Sequence, residues 1–142
     1  MPDSIANQLR RNAVALISLT VALTSLGYNT WRNEATEANR NQRTAAFELL
    51  LQTGQLQELV FLAHYDHDAQ RGNPRRGWAL VLTVRDLSQV LPSTSQQAAT
   101  RLHEQWQTHW DQLGQDEAAA DAILAAIDGV REETQRLLKS LD

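Results

Sequence analysis

The sequence predicts an all-α protein in which a single N-terminal transmembrane helix continues into an antiparallel four-helix bundle. Three observations carry this expectation. Residues 12–30 hold no charged side chain across 19 positions. Beyond them, apolar residues recur at three-, four- and seven-residue intervals, the period of a helix buried on one side. Proline and glycine punctuate that pattern at short intervals, so the connections are short and neighbouring helices run in opposite directions.

The uncharged segment is rich in Ala, Val, Leu and Ile between residues 13 and 26. As a helix, nineteen residues extend about 28 Å, close to the hydrocarbon thickness of a bilayer. Arg10 and Arg11 precede it, and Tyr28 and Trp31 stand at its far end. Basic residues stay on the cytoplasmic side and amphipathic rings favour the interface, which places residues 1–11 in the cytoplasm and the remainder outside it. The expected location is therefore the cytoplasmic (inner) membrane, crossed once. Two rivals compete with this reading: a buried core helix, and a signal peptide cut after Ser25 and Gly27. Helical sequence continues straight through that site, which favours an uncleaved signal-anchor. Ser18, Thr20, Thr24 and Ser25 make the span only moderately apolar, and in lipid such residues often mark contact with another helix.

Residues 31–44 are polar on nearly every face and read as a juxtamembrane helical stalk. Trp31, Ala35, Ala38, Ala45 and Leu49 form a narrow seam along it, and Leu56, Leu59, Val60 and Ala63 continue that seam with bulkier groups. Helix is expected to about Ala69, so span, stalk and first bundle helix form one continuous element. Its partners are shorter, which leaves the stalk in need of a companion: a second copy or another membrane protein, met at Ala35 and Ala38.

Gly72-Asn73-Pro74 is the clearest turn signal, with Gly77 closing it. The run from Trp78 to Leu91 has strand-like composition, yet Leu80, Val84, Leu87 and Leu91 recur at helical spacing and no second strand candidate exists to pair with it. Helix is the expectation. Pro92 ends that segment, and Ser93, Thr94 or Ser95 can cap the next. Ala99, Leu102, Trp106, Trp110 and Leu113 then make an amphipathic stripe that Gly114 stops. Asp116 can cap a last helix carrying Ala120, Ile123, Leu124, Ile127, Val130, Leu138 and Leu141. The bundle so defined spans residues 45–142.

Charge narrows the functional classes. The chain of 142 residues has net charge −4; residues 1–27 carry only Asp3, Arg10 and Arg11, leaving 11 Lys and Arg against 16 Asp and Glu in the rest. An acidic domain lacks the clustered cations that phosphate backbones require, which excludes nucleic acid as the main ligand. There is no cysteine, so disulfides and thiolate chemistry are absent. No nucleophile elbow or glycine-rich phosphate loop occurs, and neither an enzyme nor a resident cofactor is expected.

Two polar clusters remain. His67 and Asp68 each fall one turn from His64 on a helix that reaches Ala69, where imidazole and carboxylate groups can converge on a divalent metal. The same residues also read as the polar end of a helix. Arg71, Arg75 and Arg76 crowd the following turn and can grip a carboxylate, a phosphate or an acidic partner surface. Trp106 and Trp110, one turn apart on an apolar stripe, read as core. These features point to an extracytoplasmic helical interaction or accessory module of a cell-envelope complex. The alternative is a ligand- or metal-sensing bundle that passes its signal to a partner membrane protein, because one span and a short N-terminus leave no cytoplasmic output.

Overall fold

The computed structural model describes residues 12–141. The expected cytoplasmic segment 1–11, with Arg10 and Arg11, lies outside the described residues. Four helices account for nearly all of the rest: α1 (Ala13–His64), α2 (Pro74–Ser88), α3 (Ser93–His109) and α4 (Glu117–Ser140). No strand occurs among the described residues, so the run from Trp78 is helical despite its β-branched composition.

The chain divides into two compact units, one ending at Asn39 and one beginning at Arg40. Within the first, every residue from 14 onward is exposed. Val14, Ile17, Leu19, Val21, Leu23 and Leu26 are between 56 and 78% exposed. This part of α1 is long and apolar enough to cross a membrane. Its threonine hydroxyls turn back on the helix: Thr20 donates to the Leu16 carbonyl at 2.9 Å, Thr24 to the Thr20 carbonyl at 2.8 Å, and Thr30 to the Leu26 carbonyl at 3.0 Å. The Tyr28 and Trp31 rings lie 6.1 Å apart.

The second unit has a continuous core. Ala46, Leu49, Leu56 and Val60 of α1 meet Val81 and Val84 of α2, Leu102 and Trp106 of α3, and Ile123, Ile127 and Val130 of α4. Each is at most 1% exposed, and each large side chain contributes about 1.5–3 kcal/mol by leaving water. The seam from Leu49 to Ala63 thus faces the core, whereas Ala35 and Ala38 are exposed. Helix α2 packs on α3, and α3 on α4. Polar ties fix the register of α1 in this unit: Arg43 donates to the Leu141 carbonyl at 2.6 Å, Arg131 donates to Gln57, and His64 Nδ1 lies 3.0 Å from the Leu113 carbonyl.

Helix boundaries depart from the sequence-based expectation in four places. Helix α1 ends at His64, five residues before Ala69, because His67 adopts φ 48°, a left-handed conformation that terminates a helix. Helix α2 begins early, at Pro74, because Asn73 caps it by accepting from the Arg75 amide at 3.0 Å and proline fits the first turn. Gly77 therefore lies inside α2, not in the turn. A Cβ there would fall on the Trp106 ring, so its absence lets α2 approach α3. None of Ser93, Thr94 and Ser95 caps α3: the N-cap position is Pro92, which has no side-chain oxygen to accept from the first turn. Helix α3 stops at His109, before Gly114. Asp116 does cap α4, accepting from the Ala118 amide at 3.0 Å.

Candidate functional site

The turn after α1 organises the polar residues that the sequence singles out. The Tyr65 amide still donates to the Phe61 carbonyl at 2.9 Å, but the Asp68 amide reaches back to the Leu62 carbonyl at 2.9 Å as the chain reverses at His67. Asp68 Oδ1 then accepts from the Gln70 amide at 3.0 Å and the Arg71 amide at 2.9 Å. The Arg71 amide is the main cause that lowers the Asp68 pKa below the ordinary aspartate value. Partial burial opposes it, and the Gln70 amide and the Arg71 charge add to it. Gly72 lies against the α1 backbone, where a Cβ would come within 2.6 Å of the Leu62 carbonyl carbon. Only glycine permits so close an approach.

This turn swings Arg71 over α1, where its Nη2 lies 3.3 Å from Glu58 Oε1. Between α1 and α2 runs a groove of about 590 Å³ lined by Gln55, Glu58, Leu59, Leu62, Arg71, Arg76, Ala79 and Leu80. Leucine and alanine side chains form its apolar surface, and two guanidinium groups and one carboxylate stand along it. Guanidinium forks recognise carboxylate or phosphate oxygens in pairs. The groove is therefore suited chemically to an acidic group carried on an apolar body.

The structure brings Arg71 and Arg76 into this groove but not Arg75, which is exposed elsewhere on the first turn of α2. The metal candidates separate. His67 and Asp68 line a shallow hollow with Gly72, Asn73, Pro74 and Gly114. His64 does not: its Nδ1 faces the Leu113 carbonyl, and because a carbonyl only accepts, that nitrogen carries the proton. With α1 ending at His64, the one-turn spacing that would align the three donors is lost. No group of three or more metal-binding side chains occurs among the described residues.

A second cluster lies between α2 and α3. Trp78 meets His103 edge-on at 5.8 Å and Trp110 at 6.2 Å, and Arg85 Nη1 lies 3.4 Å from His103 Nε2. Trp106 is fully buried as expected, with an indole N–H that has no partner among the described residues. Trp110 is only half-buried and sits at the edge of this aromatic face.

Two features do not stand out in the sequence. Glu58 has the look of an ordinary surface residue, because its partner, Arg71, is supplied by the turn. Phe47, Leu51, Phe61 and Tyr65 are exposed on α1; with Gly54 and Glu58 between them they fall at alternating steps of four and three residues opposite the core seam, and that spacing is the signal that could have found them. No protein-family model, curated protein or solved structure matches this chain.

Proposed function

We propose that this chain is a single-pass membrane protein whose extracytoplasmic domain, an antiparallel four-helix bundle, serves as a non-catalytic interaction module of a cell-envelope assembly. One observation carries the reading: every residue from 14 to 41 is exposed, although much of this stretch is apolar, while the same helix from Ala45 onward enters a core. Water-soluble proteins rarely leave a contiguous apolar patch beyond a few hundred Å² uncovered. Lipid is the cover that suits the first part of that helix, residues 13–30, which carries no charge on any side.

Supporting detail comes from both ends of the chain. The threonine hydroxyls bonded to i−4 carbonyls need nothing from hydrocarbon, which has no hydrogen-bonding capacity to offer. The Tyr28–Trp31 pair suits the interface, and Arg10-Arg11 before the span favours a cytoplasmic N-terminus. Residues 12–30 are read as the anchor, 31–44 as a stalk and 45–142 as the bundle. For the antiparallel topology, position numbers rise on one helix as they fall on the other: Arg43 with Leu141, Gln57 with Arg131, then Gly77 with Trp106 and Arg85 with His103. Partner-facing surfaces are the exposed Ala35 and Ala38 and the groove that holds Arg71 and Arg76. A ligand-sensing bundle is the second reading, and it draws on that same groove.

The test is flotation with lipid vesicles after carbonate washing, paired with impermeant thiol labelling of single-cysteine variants in intact cells. The expected result is a floating protein labelled from outside at Gln107→Cys. Recovery in the soluble fraction, or a mature protein beginning near Tyr28, would overturn the anchor.

A further inference from the structure

Helix α1 presents a second apolar line that the core does not use. Phe47, Leu51, Phe61 and Tyr65 are 58, 55, 41 and 57% exposed. Together with Gly54 and Glu58 they recur at alternating steps of four and three residues. That average period of 3.5 keeps one seam turned toward a facing helix in a coiled coil. Leu49, Leu56, Val60 and Ala63, which face the core, occupy the other side of the helix. The Phe61 and Tyr65 rings already touch, 5.7 Å apart. Gly54 has open space around it and would let a second helix come close.

We propose that this line is the contact between two parallel copies of the chain lying side by side in one membrane; the parallel arrangement rests on the anchor reading given above. A 3.5-residue seam is self-matching, because a second copy offers the same knobs and the same holes in the same register. Counted back along the sequence at the same steps, that register passes Thr44, Arg40, Glu37, Asn33 and Thr30 of the polar stretch and then meets Leu26, Leu23, Leu19 and Leu16, a leucine repeat that a second copy also carries.

Charge supports the same occupant. The chain is acidic, with net charge −4, so most of its faces repel a copy. Between Phe47 and Tyr65 the one carboxylate on this line, Glu58, is countered by Arg71 of its own chain at 3.3 Å, and farther back on the same register Glu37 stands one turn from Arg40. Area sets the condition. Four half-exposed side chains offer on the order of 400 Å² per copy, or roughly 800 Å² per pair, against about 1,200 Å² for a stable complex between free proteins. A freely diffusing partner would not be held by so little. A copy confined to the same bilayer meets the line at a much higher effective concentration.

The absence of native cysteine makes the test direct. Leu51→Cys, Phe61→Cys and, on α3, Gln107→Cys are introduced singly into the full chain and oxidised in membranes. The expected result is a disulfide-linked homodimer for Leu51→Cys and Phe61→Cys and none for Gln107→Cys. Adding Leu51→Glu to Phe61→Cys abolishes the dimer, with helicity by circular dichroism unchanged because Leu51 lies outside the core. Cross-linking no stronger at the line than at Gln107, or only to a different protein, overturns the proposal. Flotation of the same samples separates the two readings. Protein that floats without cross-linking removes the contact alone, whereas protein that does not float removes the anchor and the shared-membrane contact with it.

Discussion

Gly77 lies directly under the indole of Trp106, so close that any Cβ at position 77 would fall on the ring. A helical glycine is ordinarily a weakness, and its exchange for alanine gains about 1 kcal/mol. Here the contact reverses the sign. Trp106 is fully buried and cannot swing aside without displacing its neighbours. Gly77→Ala is expected to cost about 1–3 kcal/mol through overpacking. Thermal melting of the full chain in detergent, followed by circular dichroism, measures it. Gly129 on α4 is the control, since a Cβ added there would meet nothing within 4 Å. Gly129→Ala should gain about 1 kcal/mol.

Ser95 makes a complementary prediction. Its hydroxyl, on the first turn of α3, is buried without a hydrogen-bond partner among the described residues. A buried polar group left unpaired costs about 1–3 kcal/mol, so its removal is free of the usual penalty. Ser95→Ala should leave the melting midpoint unchanged or raise it. Ser88→Ala should lower it slightly, because the Ser88 hydroxyl donates to the Arg85 carbonyl at 2.7 Å.

Asp68 gives the turn after α1 a pH dependence of known sign. Its pKa is lowered in the folded chain, chiefly by the Arg71 amide. The folded state therefore binds this proton less readily than the unfolded state. The stability Asp68 contributes is complete above the ordinary aspartate range and is lost as pH falls through the depressed value. Asp68→Asn should flatten that part of the acid limb, read by melting across about pH 2–5, which brackets ordinary carboxylate titration. Arg71→Gln keeps the amide, so the Asp68 carboxyl signal in an NMR titration should move up only slightly. A full return to the ordinary value would show that the guanidinium sets it.

Divalent metals probe the histidine turn. His64 is held at the Leu113 carbonyl, while His67 and Asp68 line a separate hollow. Zinc or nickel added to the full chain should leave its melting midpoint where it was, since a ligand that binds only the folded state would raise it. A rise that is lost in His67→Ala would restore the metal reading.

The helices are legible from sequence wherever apolar spacing and a local cap agree. Asp116 followed by Ala120, Ile123 and Ile127 is such a case, and α4 begins where that pattern places it. The end of α1 is not, because it depends on the conformation of the turn that follows it. Nothing about His67 in the sequence announces a left-handed residue; the turn is held by Asp68 and by Gly72 against Ala63. The same holds for the groove. Arg71 and Arg76 are visible as a cluster, but Glu58 and Leu59 join them only after the chain reverses. The exposed line from Phe47 to Tyr65 is legible in principle. It is masked because the core seam on the same helix is the stronger signal.

The threonines of the first unit have one more consequence. With each hydroxyl folded onto the turn before it, what Thr20 and Thr24 turn outward is largely hydrocarbon. Counting letters thus overstates how polar the segment looks to its surroundings. Valine, a near-isostere, should be almost silent at either position. In the pairing proposed above, recognition along this segment would then fall to shape, written in leucine, rather than to hydroxyl chemistry.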